Sequence, residues 1–599
     1  MPNKALGFTQ IACNPKGAFD ALYIPKQGGD IPVELRVPGP SNFDLNIYHI
    51  NDLHQNLVSH SGGERTDNMA LIAAYVAQVR EQQSGHQINL FMSAGDEHIG
   101  SVFDELLDPE PGHVAISASY HCLSAAGLDA SVLGNHELDK ETEAAQRSIK
   151  NDAQFVVLSA NLKGSRFKAQ QQQVAIALAN GLRIGLLGLS PATDIYLHTQ
   201  SDPSLTIADA KNCVNQHIKY LDPFVDCWII LSHLGYCAPG QYQRHPSEFG
   251  DLELMEQLHH LSDKPSLIVG GHSHSCLNQN QLEAINQRGN CMVVQAGAFA
   301  KYLGHARIVK TADSAYTKSA CLTSITQLKG MPSLSAAAQR FRKTYLSPLE
   351  QRLEHKLALA IAQAPTDSAL SIASIAKTRY SSECSLANFM NDAIVAQSQH
   401  FAQGPVDIAI FNASAISGFT LHQDLRYADI YSMMPYADQI IVISISGKQL
   451  QHLLQSNAQR LFHPNEFIDY GGRYDPNQLL ERGFLHFSAQ LRYRLKSTKQ
   501  SQSHTFVDAQ FKGEPLDQTR TYKVAITSFL AYGKGFWSGE SVIDELAINP
   551  FNLAAIAREH GIETGLLYRS ELIDFIKGLA NKRIDHESGA KLDGRVSFL

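Results

Sequence analysis

Between residues 44 and 310 the chain carries a series of short apolar runs: "LNIYHI", "INLFMS", "ASVLG", "FVVLSA", "RIGLLGLS", "CWIILS" and "SLIVGG". Runs of this length, apolar on both faces and rich in β-branched and aromatic residues, fit strands buried between two layers rather than strands with a wet face. Helical patterns such as "NMALIAAYVAQVREQQ" lie between some of them. The alternation predicts an α/β domain.

Five of these runs end in side chains able to bind a metal or move a proton. "LNIYHI" leads into Asp52 and His54, "INLFMS" into Asp96, and "ASVLG" into Asn135 and His136. "CWIILS" leads into His233, and "SLIVGG" into His272 and His274. Each alone reads as an ordinary turn residue, since "GD" and "GH" are common turn dipeptides. The ordered set of D-x-H, G-D, G-N-H-E, S-H and G-H-x-H is not ordinary. It supplies carboxylate and amide oxygens together with imidazole nitrogens, a mixture suited to two borderline divalent ions such as Zn, Mn, Co or Fe. Two such ions about 3.5–4 Å apart clamp an in-line phosphoryl displacement and provide a hydroxide nucleophile near neutral pH.

These motifs resemble those of the calcineurin-like metallophosphoesterases over roughly residues 43–310. The resemblance implies a four-layer α-β-β-α domain and two divalent metal ions (Zn, Mn, Co, Fe or Mg). It implies that Asp52, His54, Asp96 and His274 hold one ion, and that Asp96, Asn135, His233 and His272 hold the other. His136 would face the phosphate as a catalytic acid, oriented by Asp139. An i, i+3 spacing lets Asp139 reach His136 if the segment after the strand turns helical. Glu137 reads as a structural residue.

Residues 331–364, including "SLSAAAQRFRKTYLSPLEQRLEHKLALAIAQ", have helical spacing and composition, and Pro348 is expected to kink or divide the helix. They read as a helical linker between residues 43–330 and a second, mixed α+β domain over 365–599. Residues 1–42 read as an extension without an assigned role. "SLANFMNDAI", "IFNASAISGF", "YSMMPYADQIIVISISGKQL" and "YKVAITSFLAYGKGF" resemble the C-terminal domain of the 5′-nucleotidase family. That resemblance implies a substrate-binding domain that rotates on the connector. It places Phe529 and Tyr436 on either side of a base, Asn412 before a glycine run, and Arg379 beside phosphate or base.

Two stretches depart from the family's pattern. "ASAISG" lacks the glycines and has Ser417 near the arginine's place. "YGKG" is one residue short and carries Lys534 where a carboxylate would bind the ribose diol. An ammonium group accepts no hydrogen bond from a diol but can meet an anion. Arg473 and Arg482 are candidates to compensate. The expected reaction is therefore hydrolysis of phosphate monoesters, first of nucleotides. A nucleotide sugar, cyclic nucleotide or non-nucleotide anionic ester is the alternative substrate, and a non-catalytic binding protein the alternative class.

The formal charge of −8 and a pI near 6.4 give no basic footprint for nucleic acid. No window approaches the roughly 18 apolar residues of a membrane span. The nine cysteines form no CxxC pair, and the N-terminus shows no basic and apolar signal pattern. A cytoplasmic protein, monomeric or homodimeric and with a small-molecule substrate, is the expectation. Export to the periplasm or outside the cell is the alternative.

Overall fold

The computed structural model describes residues 6–61, 64–107, 114–139, 141–164, 172–191, 202–236, 249–311, 316–363, 367–416, 424–434, 438–462, 483–498, 503–532 and 551–599. The chain forms two compact units, Met1–Leu353 and Glu354–Leu599.

The first unit is built on two sheets. One has six strands in the order Thr317–Ser324, Tyr302–Lys310, Phe43–Ile50, Gln87–Ser93, Ala130–Val132 and Val156–Leu158. The last four of these run parallel. The other has eight, with Leu182–Leu189, Cys227–Ser232, Ser266–Gly270 and Cys291–Val294 forming its parallel part. The sheets face each other across one core. Leu45, Ile47, Leu90, Met92 and Val132 from the first meet Ile184, Leu186, Ile229, Leu231 and Val269 from the second.

Period-2 alternation sends the remaining side chains to the outer faces. Leu187, Trp228, Ile230 and Ile268 pack on Val214, Ile218, Leu254 and Leu258 of helices Ala210–Leu221 and Asp251–Leu261. Tyr48, on the outer face of the six-stranded sheet, meets Tyr75 of helix Asn68–Glu81 edge to face at 5.8 Å. This is the expected α-β-β-α layering, and the predicted runs became strands with both faces covered.

Residues 6–42, set apart in the sequence as an extension, add two strands to the eight-stranded sheet. Leu6–Ile11 pairs with Ala21–Gln27, which pairs with Val174–Ala179. Helices Ser335–Phe341 and Ser347–Ala358 run on through a π turn at Arg342–Leu346 instead of breaking at Pro348. Proline has no N–H to give an i−4 carbonyl, and a widened turn just before it absorbs that loss. Tyr345 in this turn accepts a hydrogen bond from Lys16 Nζ at 2.7 Å and packs on Phe341. The connector is thus fastened to the first unit up to Leu353. The expected helix also stops short of residue 364, because Ala360–Gln363 is a strand paired with Asp424–Arg426.

The second unit has a five-stranded sheet in the order Leu485–Phe487, Ile408–Asn412, Thr521–Thr527, Gln439–Ser446 and Ile562–Leu567. Ile440 and Val442 face helices Ser385–Gln397 and Tyr568–Gly578, while Ile441, Ile443 and Ile445 face helix Gly447–Ala458. The latter core also takes in Leu491, Tyr493 and Phe511 from a four-stranded sheet. The mixed α+β expectation holds. Among the described residues, no helix is long and apolar enough to cross a membrane.

Candidate active site

The five loops carrying the metal-competent side chains all leave the carboxyl ends of parallel strands, three from the six-stranded sheet and two from the eight-stranded one. In open α/β sheets this is where ligands bind, because the loops there splay and expose polar groups above a closed core. The backbones of two loops run side by side. Asp52 N–H donates to the Gly95 carbonyl and His54 N–H to the Asp96 carbonyl, each at 2.9 Å.

Reaching one point from five loops demands unusual backbone. Asp52, His54, Asp96, His272 and His274 all have positive φ, between 48° and 71°. A side-chain-bearing residue in this region costs on the order of 1 kcal/mol. Five together persist only because surrounding hydrogen bonds over-determine them.

The side chains converge. Asp52, His54 and His274 form one group whose ligand atoms all lie within 4.8 Å of one another, and Asp96, His233 and His272 form another. His54 Nε2 faces His274 Nε2 at 3.2 Å, and His274 Nε2 lies 3.2 Å from Asp52 Oδ1. His233 Nε2 lies 2.9 Å from Asp96 Oδ2, and His272 Nδ1 meets Asn135 Oδ1 at 3.1 Å. Two of the imidazoles are oriented through their other nitrogen. His233 Nδ1 donates to the Ala94 carbonyl at 2.5 Å and His54 Nδ1 to the Ile99 carbonyl at 2.8 Å, which turns both Nε2 atoms inward.

The donor set fits divalent cations. His233 Nε2 is fully buried and aims straight at Asp96 Oδ2, 2.9 Å away. Asp52 and Asp96 are fully buried carboxylates. Burial works against their charge, yet the surrounding imidazoles, His274 for Asp52 and His233 for Asp96, hold both below the usual carboxylate range. Burial likewise opposes charge on His233, but Asp96 outweighs it and pushes the ring up to about 10. His54 goes the other way, down to about 4, through burial and then the nearby His136. A buried set of anionic oxygens and inward-facing nitrogens is what a cation site requires.

His136 lies beside this set. Its Nδ1 is 2.6 Å from Asp139 Oδ2, and its Nε2 is 4.0 Å from Asp96 Oδ2. The residues His136–Leu138 form a 3-10 turn, which supplies the helical i, i+3 contact expected between His136 and Asp139. Glu137 is buried and faces backbone N–H groups.

Sequence reasoning passed over the residues that brace the loops. Asn51 Nδ2 donates to Asp52 Oδ2 at 2.6 Å and to the Gly297 carbonyl, and its Oδ1 accepts from Ala296 N–H at 2.7 Å. Gln295 donates to the Gly271 carbonyl and accepts from Ser273 Oγ and Ser275 N–H, spanning the loop of His272 and His274. Phe299, also at positive φ (61°), packs its ring against His54 and His274. The only sequence signal for Asn51 is its place directly before Asp52. Gln295 and Phe299 offered none.

In the second unit, three of the expected substrate residues gather at one end of the sheet. Asn412 ends strand Ile408–Asn412, and its Oδ1 accepts from Thr527 Oγ1 at the end of the neighbouring strand. Phe529, two residues further on, is 48% exposed amid buried neighbours. Arg379 Nη1 donates to the Ile416 carbonyl, its guanidinium lies 4.8 Å from the Tyr380 ring centre, and its buried Nε has no partner. Tyr436, Lys534, Ser417, Arg473 and Arg482 lie outside the described residues.

Comparison with known proteins agrees with this geometry. Residues 45–276 match the calcineurin-like phosphoesterase family, and residues 360–539 match the 5′-nucleotidase C-terminal domain. An apyrase of Tabanus yao is 25% identical over 549 residues, covering 86% of this chain and 90% of its own. The fold is similar to that of Haemophilus influenzae NAD nucleotidase, with a TM-score of 0.57, 16% identity, and coverage of 93% of this chain and 99% of that one. It is also similar to a 5′-nucleotidase precursor from Thermus thermophilus, with a TM-score of 0.50, 22% identity, and coverage of 93% and 99%. The chain thus carries a calcineurin-like phosphoesterase domain over residues 45–276, holding the strand-end cluster of metal-competent side chains, followed by a 5′-nucleotidase C-terminal domain over residues 360–539.

Proposed function

We propose that the chain hydrolyses nucleotide phosphate esters with the help of two divalent cations. Asp52, His54, Asp96 and His274 would hold one, and Asp96, Asn135, His233 and His272 the other, with Asp96 shared. The observation that carries this reading is the convergence of these side chains from five separate strand ends, with the buried His233 Nε2 facing the carboxylate of Asp96. When bound, such ions draw charge off phosphoryl oxygens and make water acidic enough to attack near neutral pH. Zn, Mn, Co, Fe and Mg all suit some part of this oxygen and nitrogen set.

The chain's own residues do the rest. Asp139 fixes the ring and tautomer of His136 through Nδ1, so His136 Nε2 is the atom that gives a proton to the departing oxygen. In the second unit, Phe529 offers an exposed ring face on which a planar base can stack, worth about 1–3 kcal/mol if nucleic-acid values transfer. Arg379, with one buried N–H to spare, is suited to an anionic or carbonyl group. Tyr436 would supply the second ring. The names of the relatives, apyrase and NAD nucleotidase among them, support a nucleotide substrate.

A second reading keeps the chemistry and changes the ester. Lys534 in "YGKG" replaces a diol-binding carboxylate with a cation, which favours a substrate with a further anionic group. The test is metal-free protein reloaded with each ion in turn and offered mononucleotides, a nucleotide sugar, a cyclic nucleotide and an aryl phosphate. Phosphate release fastest from the mononucleotides supports the first reading, and preference for another ester supports the second. No turnover of any ester with any ion would sink both.

A further inference from the structure

Glu137 sits between two of the site's loops. Its Oε2 accepts the backbone N–H of Gly134 at 2.7 Å and of Asp96 at 3.2 Å. Its Oε1 accepts the N–H of Glu97 at 2.7 Å and of His98 at 3.4 Å. One carboxylate thus collects N–H groups from the loop that follows Gln87–Ser93 and from the loop that follows Ala130–Val132.

The sheet itself does little to join these loops. The two strands share a single register pair, Met92 with Ala130. Beyond it the loops press together too closely for any side chain at the contact. A Cβ on Gly134 would collide with Asp96 Oδ1, and one on Gly95 would fall 2.8 Å from the Val132 carbonyl. His136 N–H also donates to Asp96 Oδ1 at 2.9 Å. Where the ladder ends, Glu137 takes over its work.

We infer that Glu137 is a positioning residue that keeps Asp96 in register with Asn135 and His136, and so sets the spacing of the site's two halves. Part of this inference, the effect on the ions, rests on the two-cation reading above. The side chain itself touches none of the metal-competent side chains through hydrogen bonds; it acts on their backbones. A glutamine at this position keeps the shape but turns an NH₂ group toward two of the four N–H donors. Buried N–H groups left without an acceptor must move. With the NH₂ in the Oε1 place the N–H groups of Glu97 and His98 lose their acceptor, and in the Oε2 place those of Gly134 and Asp96 do, so either way the bridge between the loops is weakened.

The experiment compares the whole chain with its Glu137→Gln and Glu137→Asp variants. Amide exchange, followed by mass spectrometry on the metal-free proteins, reads peptides covering residues 94–98 and 133–137. At least tenfold faster exchange in one of these peptides, with the rest of the first unit unchanged, is expected. Calorimetric titration with Mn²⁺ should then show at least tenfold weaker binding at one site, and kcat should fall while KM stays within twofold. Unchanged exchange, or faster exchange with unaltered Mn²⁺ binding and kcat, overturns the inference. So does global unfolding of both variants, which would mark Glu137 as a general stabiliser. If the unsubstituted chain takes up fewer than two Mn²⁺ ions, the two-cation reading fails, while amide exchange still decides whether Glu137 holds the loops.

Discussion

His136 Nδ1 is held by Asp139 at 2.6 Å and its Nε2 stands 4.0 Å from Asp96 Oδ2, while its 2.9 Å hydrogen bond to Asp96 Oδ1 runs from the backbone N–H, so removing the ring should spare the cation ligands. His136→Ala is expected to lower kcat by about 10²–10⁴-fold, the usual range for a positioned acid. Metal content measured on the same protein should not change, and its loss would show that His136 is a ligand instead. A second residue-scale prediction concerns Ala300, whose φ of 51° is in the left-handed region and whose side chain is buried. Ala300→Gly removes that strain and should stabilise the first unit by up to about 1 kcal/mol, read as a raised urea midpoint. The metal-competent residues were legible because their chemical types recur at strand ends. Asn51 was not, and Glu137 was legible only as a structural residue and not in what it holds, since they act on backbone groups 246 and 40 residues away, at distances no local pattern records.

At the scale of elements, caps and strand ends set what each segment can do. Helix Gly447–Ala458 opens on a capping box in which Ser446 Oγ accepts from Gln449 N–H and Gln449 Oε1 accepts from Ser446 N–H. Ser446→Ala should cost about 1 kcal/mol, measured as a lower denaturant midpoint of the second unit's transition. An unchanged midpoint would mean that packing of Leu450, Leu453 and Leu454 alone holds the helix. The buried strands were readable from their apolar runs, as was helix Asn68–Glu81 from its spacing. The connector was readable as helix but not in its ends. A proline inside a helical pattern predicts a break, whereas here a π turn absorbs it, and "AIAQ" leaves the helix because a partner strand exists to pair with it.

On the scale of the whole molecule, the two units should answer differently to metal. Ions that bind only the folded first unit stabilise it by about 2.7 kcal/mol at a hundredfold excess over Kd. A chelator is therefore expected to lower the first unit's melting transition and leave that of Glu354–Leu599 in place, as followed by calorimetry. Movement of the second transition would put the ions elsewhere. Acid should act on both. Burial pushes His49 down to about 3, helped by His305, and burial pushes His486 down to about 4, helped by the charges of Arg595 and Arg379. Both are neutral when folded and take up a proton on unfolding below their ordinary value of 6.5. Stability from these groups is complete above about pH 6.5 and is lost as pH falls toward 4 and then 3, by up to roughly 3 kcal/mol for His486. Denaturation at about pH 7.5, 6 and 5 tests this, and His486→Gln should flatten the slope of the second unit. The amino-acid sequence alone determined the layered α/β class, the strand ends and the identity of the metal-competent side chains, because periodicity and residue type are local properties. Tertiary structure decided that residues 6–42 complete a sheet, that the connector belongs to the first unit as far as Leu353, and that Asn51, Gln295 and Glu137 brace the site. Each of those depends on which backbone N–H and carbonyl groups are left unpaired once the two sheets close on each other, and that is settled only by packing.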